Sequence, residues 1–349
     1  MDSSDILFDR RGAAGIVTLN RPKALNAVTH DMVRALARQL RLWEGDAAVT
    51  RVVIRAEGER AFSAGGDIRA LYEQGRAGCQ QEMLTFWRDE YPLDTSIKRY
   101  PKPYVALIDG IVMGGGVGVS VNGSHRVAGD RFAFAMPEVG IGFFPDVGAT
   151  WFLPRLPGEL GTWCALTGDR LKTVDAVAAG VATHHVRSDR FAELTDALCG
   201  NVSVDATLAA FAEPAGGGSM TEQLPAIDRL FAGDRIEDIL RRLDAEEGAG
   251  RAWATATAAT IRAKSPLSLK IALAQVRRGK DWSFEECMAH EFRIVSRIVY
   301  GHDFYEGVRA VIVDKDNAPH WNPRSLGDIT DGDVEKHFAS LGADELVLP

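Results

Sequence analysis

Tyr104-Val105-Ala106-Leu107-Ile108-Asp109-Gly110-Ile111-Val112-Met113-Gly114-Gly115-Gly116-Val117-Gly118-Val119-Ser120 is the stretch that decides the fold. It opens on a short apolar run ended by the turn pair Asp109-Gly110, a pattern that suits a strand covered on both faces. The glycine triplet follows. Glycine reaches positive φ without a Cβ penalty and lets a ligand approach the main chain closely. If the triplet opens a helix, its unpaired N–H groups and the helix dipole favour an oxyanion. A second site of this kind, Gly65-Gly66-Asp67, follows Ala61-Phe62-Ser63-Ala64, beyond the apolar run Val52-Val53-Ile54. Two such sites, each after a strand, can aim main-chain donors at one point. Taken alone, either reads first as a tight turn where a helix packs closely on a sheet. Neither matches GxGxxG or GxxxxGK[ST], which argues against phosphate cradling of those types.

Outward from these sites the chain alternates. Ile16-Val17-Thr18-Leu19 predicts another strand, ended by Asn20-Arg21-Pro22. Thr29 is placed to cap a helix, with Asp31 in its first turn. Met32, Val33, Leu36, Leu40 and Trp43 then recur at the helical period, with Arg34, Arg38 and Arg41 turned away. His125-Arg126-Val127-Ala128 and Phe132-Ala133-Phe134-Ala135 predict two further strands. Strands alternating with helices point to an α/β protein. From about residue 200 to 255, Ala-, Asp- and Glu-rich helical stretches take over, broken at Glu213-Pro214-Ala215-Gly216-Gly217-Gly218-Ser219. After Ser265-Pro266 the pattern is helical almost to the end. The expected organisation is a core over residues 1–200, with a mainly helical region over 201–349 packed on it as one functional unit.

Bulk properties narrow the function. The chain has 349 residues, 46% hydrophobic and 25% charged, which is ordinary for a globular protein with a substantial core. No apolar run reaches the ~20 residues that a membrane-spanning helix needs. A formal net charge of -8 argues against nucleic acid or an anionic membrane as partner. Cys79, Cys164, Cys199 and Cys287 form no CxxC unit and read as reduced thiols, neither paired nor zinc-bound. Met1-Asp2-Ser3-Ser4-Asp5 is acidic and unlike a secretory signal or an Arg-rich transit peptide, so the expected address is the cytoplasm.

Met136-Pro137-Glu138-Val139-Gly140-Ile141-Gly142-Phe143-Phe144-Pro145-Asp146-Val147-Gly148 sets two carboxylates among apolar residues, glycine and proline. Apolar surroundings raise a carboxyl pKa, which makes a general base or acid near neutrality. A pair of solvated loop carboxylates is the other reading, and the sequence weighs the two about evenly. Other chemistry finds less support. The nearest approach to a GxSxG elbow, Gly118-Val119-Ser120-Val121-Asn122, lacks its last glycine. His184-His185 and His302 read as packing or surface residues, and no metal constellation is visible.

Together these segments resemble the crotonase (enoyl-CoA hydratase/isomerase) superfamily. The resemblance also rests on Leu19-Asn20-Arg21-Pro22-Lys23-Ala24-Leu25-Asn26-Ala27, Phe62-Ser63-Ala64-Gly65-Gly66-Asp67-Ile68-Arg69 and Leu166-Thr167-Gly168. It implies an α/β, crotonase-like spiral of ββα units with a C-terminal helical region used in packing or assembly, which leaves a homo-oligomer open. It implies an acyl-CoA substrate, no separate cofactor and no metal. The two donors of the oxyanion hole fall on Gly66 and Gly115. Coenzyme A is expected along Arg21, Lys23, Ala64 and Ile68, with Lys315 near the nucleotide phosphates.

A hydratase of this superfamily carries a glutamate two residues beyond the glycine triplet, where this chain has Gly118. Its second glutamate position holds Glu138, and Asp146 stands where hydratases tend to have glycine. The Met-Pro-Glu and Phe-Pro-Asp-Val-Gly elements, with Glu306-Gly307-Val308-Arg309-Ala310-Val311 and Asp314-Lys315-Asp316, are similar to the 3-hydroxyisobutyryl-CoA hydrolases. So is Phe86-Trp87-Arg88-Asp89-Glu90-Tyr91, which makes Glu90 a substrate contact. The implied reaction is hydrolysis of a short 3-hydroxyacyl-CoA in valine breakdown, with Glu138 and Asp146 as its catalytic acids. An enoyl-CoA hydratase or isomerase using Glu138 alone, and a non-catalytic acyl-CoA binding protein, are the alternatives. β-Hydroxypropionyl-CoA fits the motifs almost as well.

Overall fold

Successive side chains of a strand point to opposite faces, and along the central strands of this chain both faces are apolar. The computed structural model describes residues 4–349 except 215 and 217, so part of the acidic N-terminus and of the glycine-rich 213–219 stretch lies outside the described residues. The strands are β1 (Ile6–Arg11), β2 (Ala14–Leu19), β3 (Arg51–Ala56), β4 (Ala61–Ser63), β5 (Tyr104–Ile108), β6 (Ile111–Met113), β7 (His125–Ala128), β8 (Ala133–Ala135), β9 (Leu171–Lys172) and β10 (His184–His185). One sheet runs β1-β2-β3-β5-β7-β10 and a second β4-β6-β8-β9. All pairings are parallel except β1 with β2 and β8 with β9.

The order explains the spiral. β3, β5 and β7 each lie in the first sheet, and each is followed at once by a strand of the second, β4, β6 and β8. Helices then return the chain for the next turn: α1 (His30–Gly45) before β3, α2 (Ile68–Arg76) and α3 (Gln80–Lys98) before β5, and α4 (Gly115–Val121) before β7. This is the expected ββα repeat. Val17, Val52, Ile54, Tyr104 and Ala106 enter the main core. Ile16, Val53, Val105, Leu107 and Val127 enter a smaller core on the outer face, covered by Leu194, Leu198, Val204 and Leu208 from two later helices.

Thr29 caps α1 by accepting from the Met32 N–H, and Met32, Val33, Leu36, Leu40 and Trp43 are its buried face, as their spacing predicts. The expected strands are present, the one over 132–135 beginning at Ala133. β1, β4, β6, β9 and β10 add to them, the last two of two residues each. β4 and β6 span three residues each, too short to show a period, and β1 has only Ile6 buried. The C-terminal part is helical through Pro266–Gly279, Phe284–Ile298 and His302–Val308, then a π turn, Arg309–Val313. Residues 314–325 are not helical, contrary to expectation. Lys315 and Asn317 have positive φ there, and Pro319 and Pro323 deny the backbone helical hydrogen bonds. No helix among the described residues is long and apolar enough to cross a membrane.

A Cβ on Gly116 would stand 2.6 Å from Ser63 Cβ and 2.7 Å from Ser63 O, so α4 touches β4 through bare backbone. Gly116→Ala therefore forces the two apart and should lower stability by about 1–3 kcal/mol. A thermal melt that matches the parent within error contradicts this packing.

Candidate active site

β4 and β6 are parallel neighbours, so the chain leaves both at the same edge of the second sheet. Gly65 (φ 113) and Gly114 (φ 46) turn it there in conformations that L side chains rarely adopt. The two turns touch: a Cβ on Gly114 would stand 3.3 Å from Gly65 Cα, and one on Gly115 would stand 3.3 Å from Gly66 N. Gly115 is the first residue of α4, so its N–H has no intrahelical acceptor. The Gly66 N–H meets no acceptor among the described residues. Two unpaired donors thus sit side by side.

Acids surround them. Glu90 of α3 is 1% exposed, and its Oε1, without a hydrogen-bond partner, lies 2.7 Å from the space a Cβ on Gly115 would fill. Glu138 opens the 3-10 turn Glu138–Ile141; its Oε1 is 3.4 Å from the corresponding space at Gly114, and its Oε2 is unpartnered. Asp146 Oδ2 accepts from the Tyr91 hydroxyl at 2.9 Å. Burial raises the carboxyl pKa of Glu90 and Glu138 well above the usual range, and the nearby Asp146 charge adds to it. Burial also pushes Asp146 up to about 7, with the Tyr91 hydrogen bond pulling the other way. Such groups take and give protons near neutrality.

A cavity of about 900 Å³ opens over the glycines. Trp87 stacks on Phe143 at 5.7 Å and walls it with apolar surface. Lys23, Arg69, Lys264 and Lys315 also line it, which gathers locally the positive charge that the chain as a whole lacks. The rim at Val311, Ile312, Lys315 and Asn317 belongs to the π turn and the segment after it. Arg309 fastens that segment, donating to Glu306 at 2.8 Å, Asp314 at 2.8 Å and Asp316 at 2.6 Å.

Of the residues singled out from sequence, Gly66, Gly115, Glu138, Asp146, Glu90, Lys23, Ala64 and Ile68 all line this one cavity, as does Lys315. Arg21 does not. Its guanidinium donates to the Ala27 carbonyl at 2.7 Å and to Asp67 at 3.1 Å, so it joins the first motif to the second. Sequence reading passed over Tyr91, Asp94 and Glu291. Asp94 is buried one turn beyond Glu90, with neither carboxylate oxygen partnered. Glu291 lies on the buried face of Phe284–Ile298, among Phe284, Cys287, Met288 and Phe292. An acid at helical spacing inside an apolar stripe was the available signal for both.

Known proteins are similar to this chain over nearly its whole length. The enoyl-CoA hydratase/isomerase family profile matches residues 14–338. The mitochondrial 3-hydroxyisobutyryl-CoA hydrolase of Danio rerio is 46% identical over 99% of this chain and 92% of its own length. The corresponding Homo sapiens protein is 42% identical over 99% and 91%. Among solved structures, a carnitinyl-CoA dehydratase from Mycobacterium thermoresistibile superposes with a TM-score of 0.93 at 43% identity, covering 99% of both chains. An enoyl-CoA hydratase from Rhodobacter sphaeroides also gives 0.93, at 39% identity, covering 99% of this chain and 100% of that one.

Glu291 is pushed up to about 8, by burial first and by Asp146 second. Asp146 and Glu291 both hold protons more tightly folded than unfolded. The stability they lend is complete below the ordinary carboxylate range near 4 and is lost as pH rises through about 7 and about 8. Stability should therefore fall between about pH 5 and pH 8 and level off above, by up to about 1.4 kcal/mol per pH unit for each proton, and thermal midpoints should fall with it. Asp146→Asn should flatten that slope. A midpoint that climbs across the interval contradicts the raised values.

Proposed function

The chain belongs to the enoyl-CoA hydratase/isomerase family, and from that premise we propose that it hydrolyses a short 3-hydroxyacyl-CoA, 3-hydroxyisobutyryl-CoA foremost, to the hydroxy acid and free coenzyme A. The observation that carries the reading is the set of groups around the paired glycines. Two unpaired amides, Gly66 and Gly115, face a cavity whose walls bring Glu90, Glu138 and Asp146 to the same place.

A thioester carbonyl oxygen between the two amides gains negative charge as its carbon is attacked, and each donor is worth about 3–4 kcal/mol of barrier. Glu138, in its ionised form, serves that carbon, either as the base for a water molecule or as the nucleophile that forms a mixed anhydride. In both routes the carbon–sulfur bond breaks and the thiolate takes a proton; in the second, water then cleaves the anhydride, releasing the hydroxy acid and freeing Glu138. Asp146, about 7 and tied to Tyr91, is placed to supply it. Glu90 accepts from the substrate hydroxyl, since a buried oxygen without a partner is satisfied by a donor and penalised without one. No metal or redox group enters this chemistry.

Hydration of an alkene is the rival, favoured by the names of the two solved structures. It needs a second carboxylate at position 118, where a Cβ would meet Asp94 Oδ1 at 2.7 Å. Gly118 supplies no carboxylate there, and the rival loses its first glutamate. Four free cysteines suit a reducing compartment, and the proposal keeps the cytoplasm, whereas the hydrolases named above are mitochondrial.

A thiol-release assay tests the reading. 3-Hydroxyisobutyryl-CoA should be cleaved roughly 100-fold faster than isobutyryl-CoA, which leaves Glu90 unpaired. Glu138→Gln and Asp146→Asn should each lower kcat by about 100-fold or more with folding intact. Hydration of crotonyl-CoA without thiol release from the hydroxy ester overturns the hydrolase.

A further inference from the structure

Asp146 stands on a strained turn. Val147, next to it, has φ 53 and is 1% exposed. A β-branched residue in the left-handed region is a genuine outlier, kept only where its surroundings over-determine it. Gly148 follows at φ 94, and a Cβ on it would meet Phe284 at 2.9 Å and Asn122 Oδ1 at 3.1 Å.

The surroundings do over-determine it. Glu291 accepts from the Gly148 N–H through Oε2 and from the Thr150 N–H through Oε1, both at 2.9 Å. Asn122, at the end of α4, donates to the Val147 carbonyl at 3.0 Å and to the Gly118 carbonyl at 3.1 Å. Gln275 donates to the Pro145 carbonyl at 2.9 Å and to Thr150 Oγ1 at 2.7 Å. Glu291 is itself fully buried, and among the described residues it has no ion-pair partner. A carboxyl set into an apolar helix face is costly unless its bonds secure something. Here both of its oxygens are spent on the two amides that follow the catalytic acid.

We propose that Glu291 is a positioning residue for Asp146: from the C-terminal helical region it grips the amides of Gly148 and Thr150, with Asn122 on the other side of the same turn, and so holds the Asp146 carboxyl against Tyr91 and the cavity. The reach explains why an acid 145 residues further along serves the site (291 against 146). It also makes the C-terminal helices part of the active site and not only a cover for the core. The proposal rests on the catalytic reading of Asp146.

Glu291→Gln keeps the shape but turns an NH₂ toward one of the two N–H groups. It should lower kcat by about 10- to 100-fold through displacement of Asp146. KM for the same ester should stay within about twofold, because the walls that bind substrate are untouched. Asn122→Ala releases the turn from the opposite side and should give the same split; it decides the matter if Glu291→Gln does not fold. Either variant, folded at the assay temperature, with kcat within about twofold of the parent overturns the proposal. So does a loss that appears in KM alone. Asp146→Asn run beside them separates the two readings. Full activity there removes Asp146 from the mechanism, whereas its loss alongside an unaffected Glu291→Gln removes only Glu291.

Discussion

Five carboxyl groups, Glu90, Asp94, Glu138, Asp146 and Glu291, are withdrawn from water into one part of this molecule, and none has an ion-pair partner among the described residues. Removing a carboxylate from water is among the more expensive events in a protein interior, and an unpaired one neutralises itself by holding its proton. That constraint organises the rest. It raises every one of these pKa values, requires hydrogen-bond donors wherever a charge is to be kept, and leaves oxygens of Glu90, Asp94 and Glu138 without a hydrogen-bond partner.

The spiral supplies the other half. Parallel strands that end at one edge deliver two glycine turns to the same point, and only glycine permits the approach. α3 contributes Glu90, Tyr91 and Asp94 from one face, with Trp87 a turn earlier. The helices beyond residue 260 then close the arrangement from above. Glu291 fixes the turn that carries Asp146, and Arg309 fastens the π turn that forms the rim. π turns recur at functional sites because they displace side chains from the regular helical position.

Much of this was legible in the residues. The capped α1 with its buried stripe, the doubly covered strands and the glycine sites follow from local pattern, since period and turn chemistry are properties of neighbours in sequence. The acids at 138 and 146 stood out because their segment is otherwise apolar. Their convergence on Gly66 and Gly115 could be named only through the family resemblance, because it depends on strand order and not on any local run. Arg21 shows the limit of that route: it lies in a matching motif, yet it fastens loops to one another and stays outside the cavity lining. β1, β4 and β6 were hidden by exposure or brevity. Glu291 stood in the apolar stripe of its helix, but the amides it binds, over a hundred positions away, are not legible from that spacing.

The most direct measurement is carbon-13 NMR of the Asp and Glu side-chain carboxyls through a pH titration, with Asp146→Asn and Glu291→Gln to assign the outlying signals. Buried carboxyls should titrate far above their exposed counterparts, one near 7 that vanishes in Asp146→Asn and one near 8 that vanishes in Glu291→Gln. Carboxyls that have all released their protons by about pH 5 would mean that charged acids are stably held in this interior, and the account of the site would be wrong.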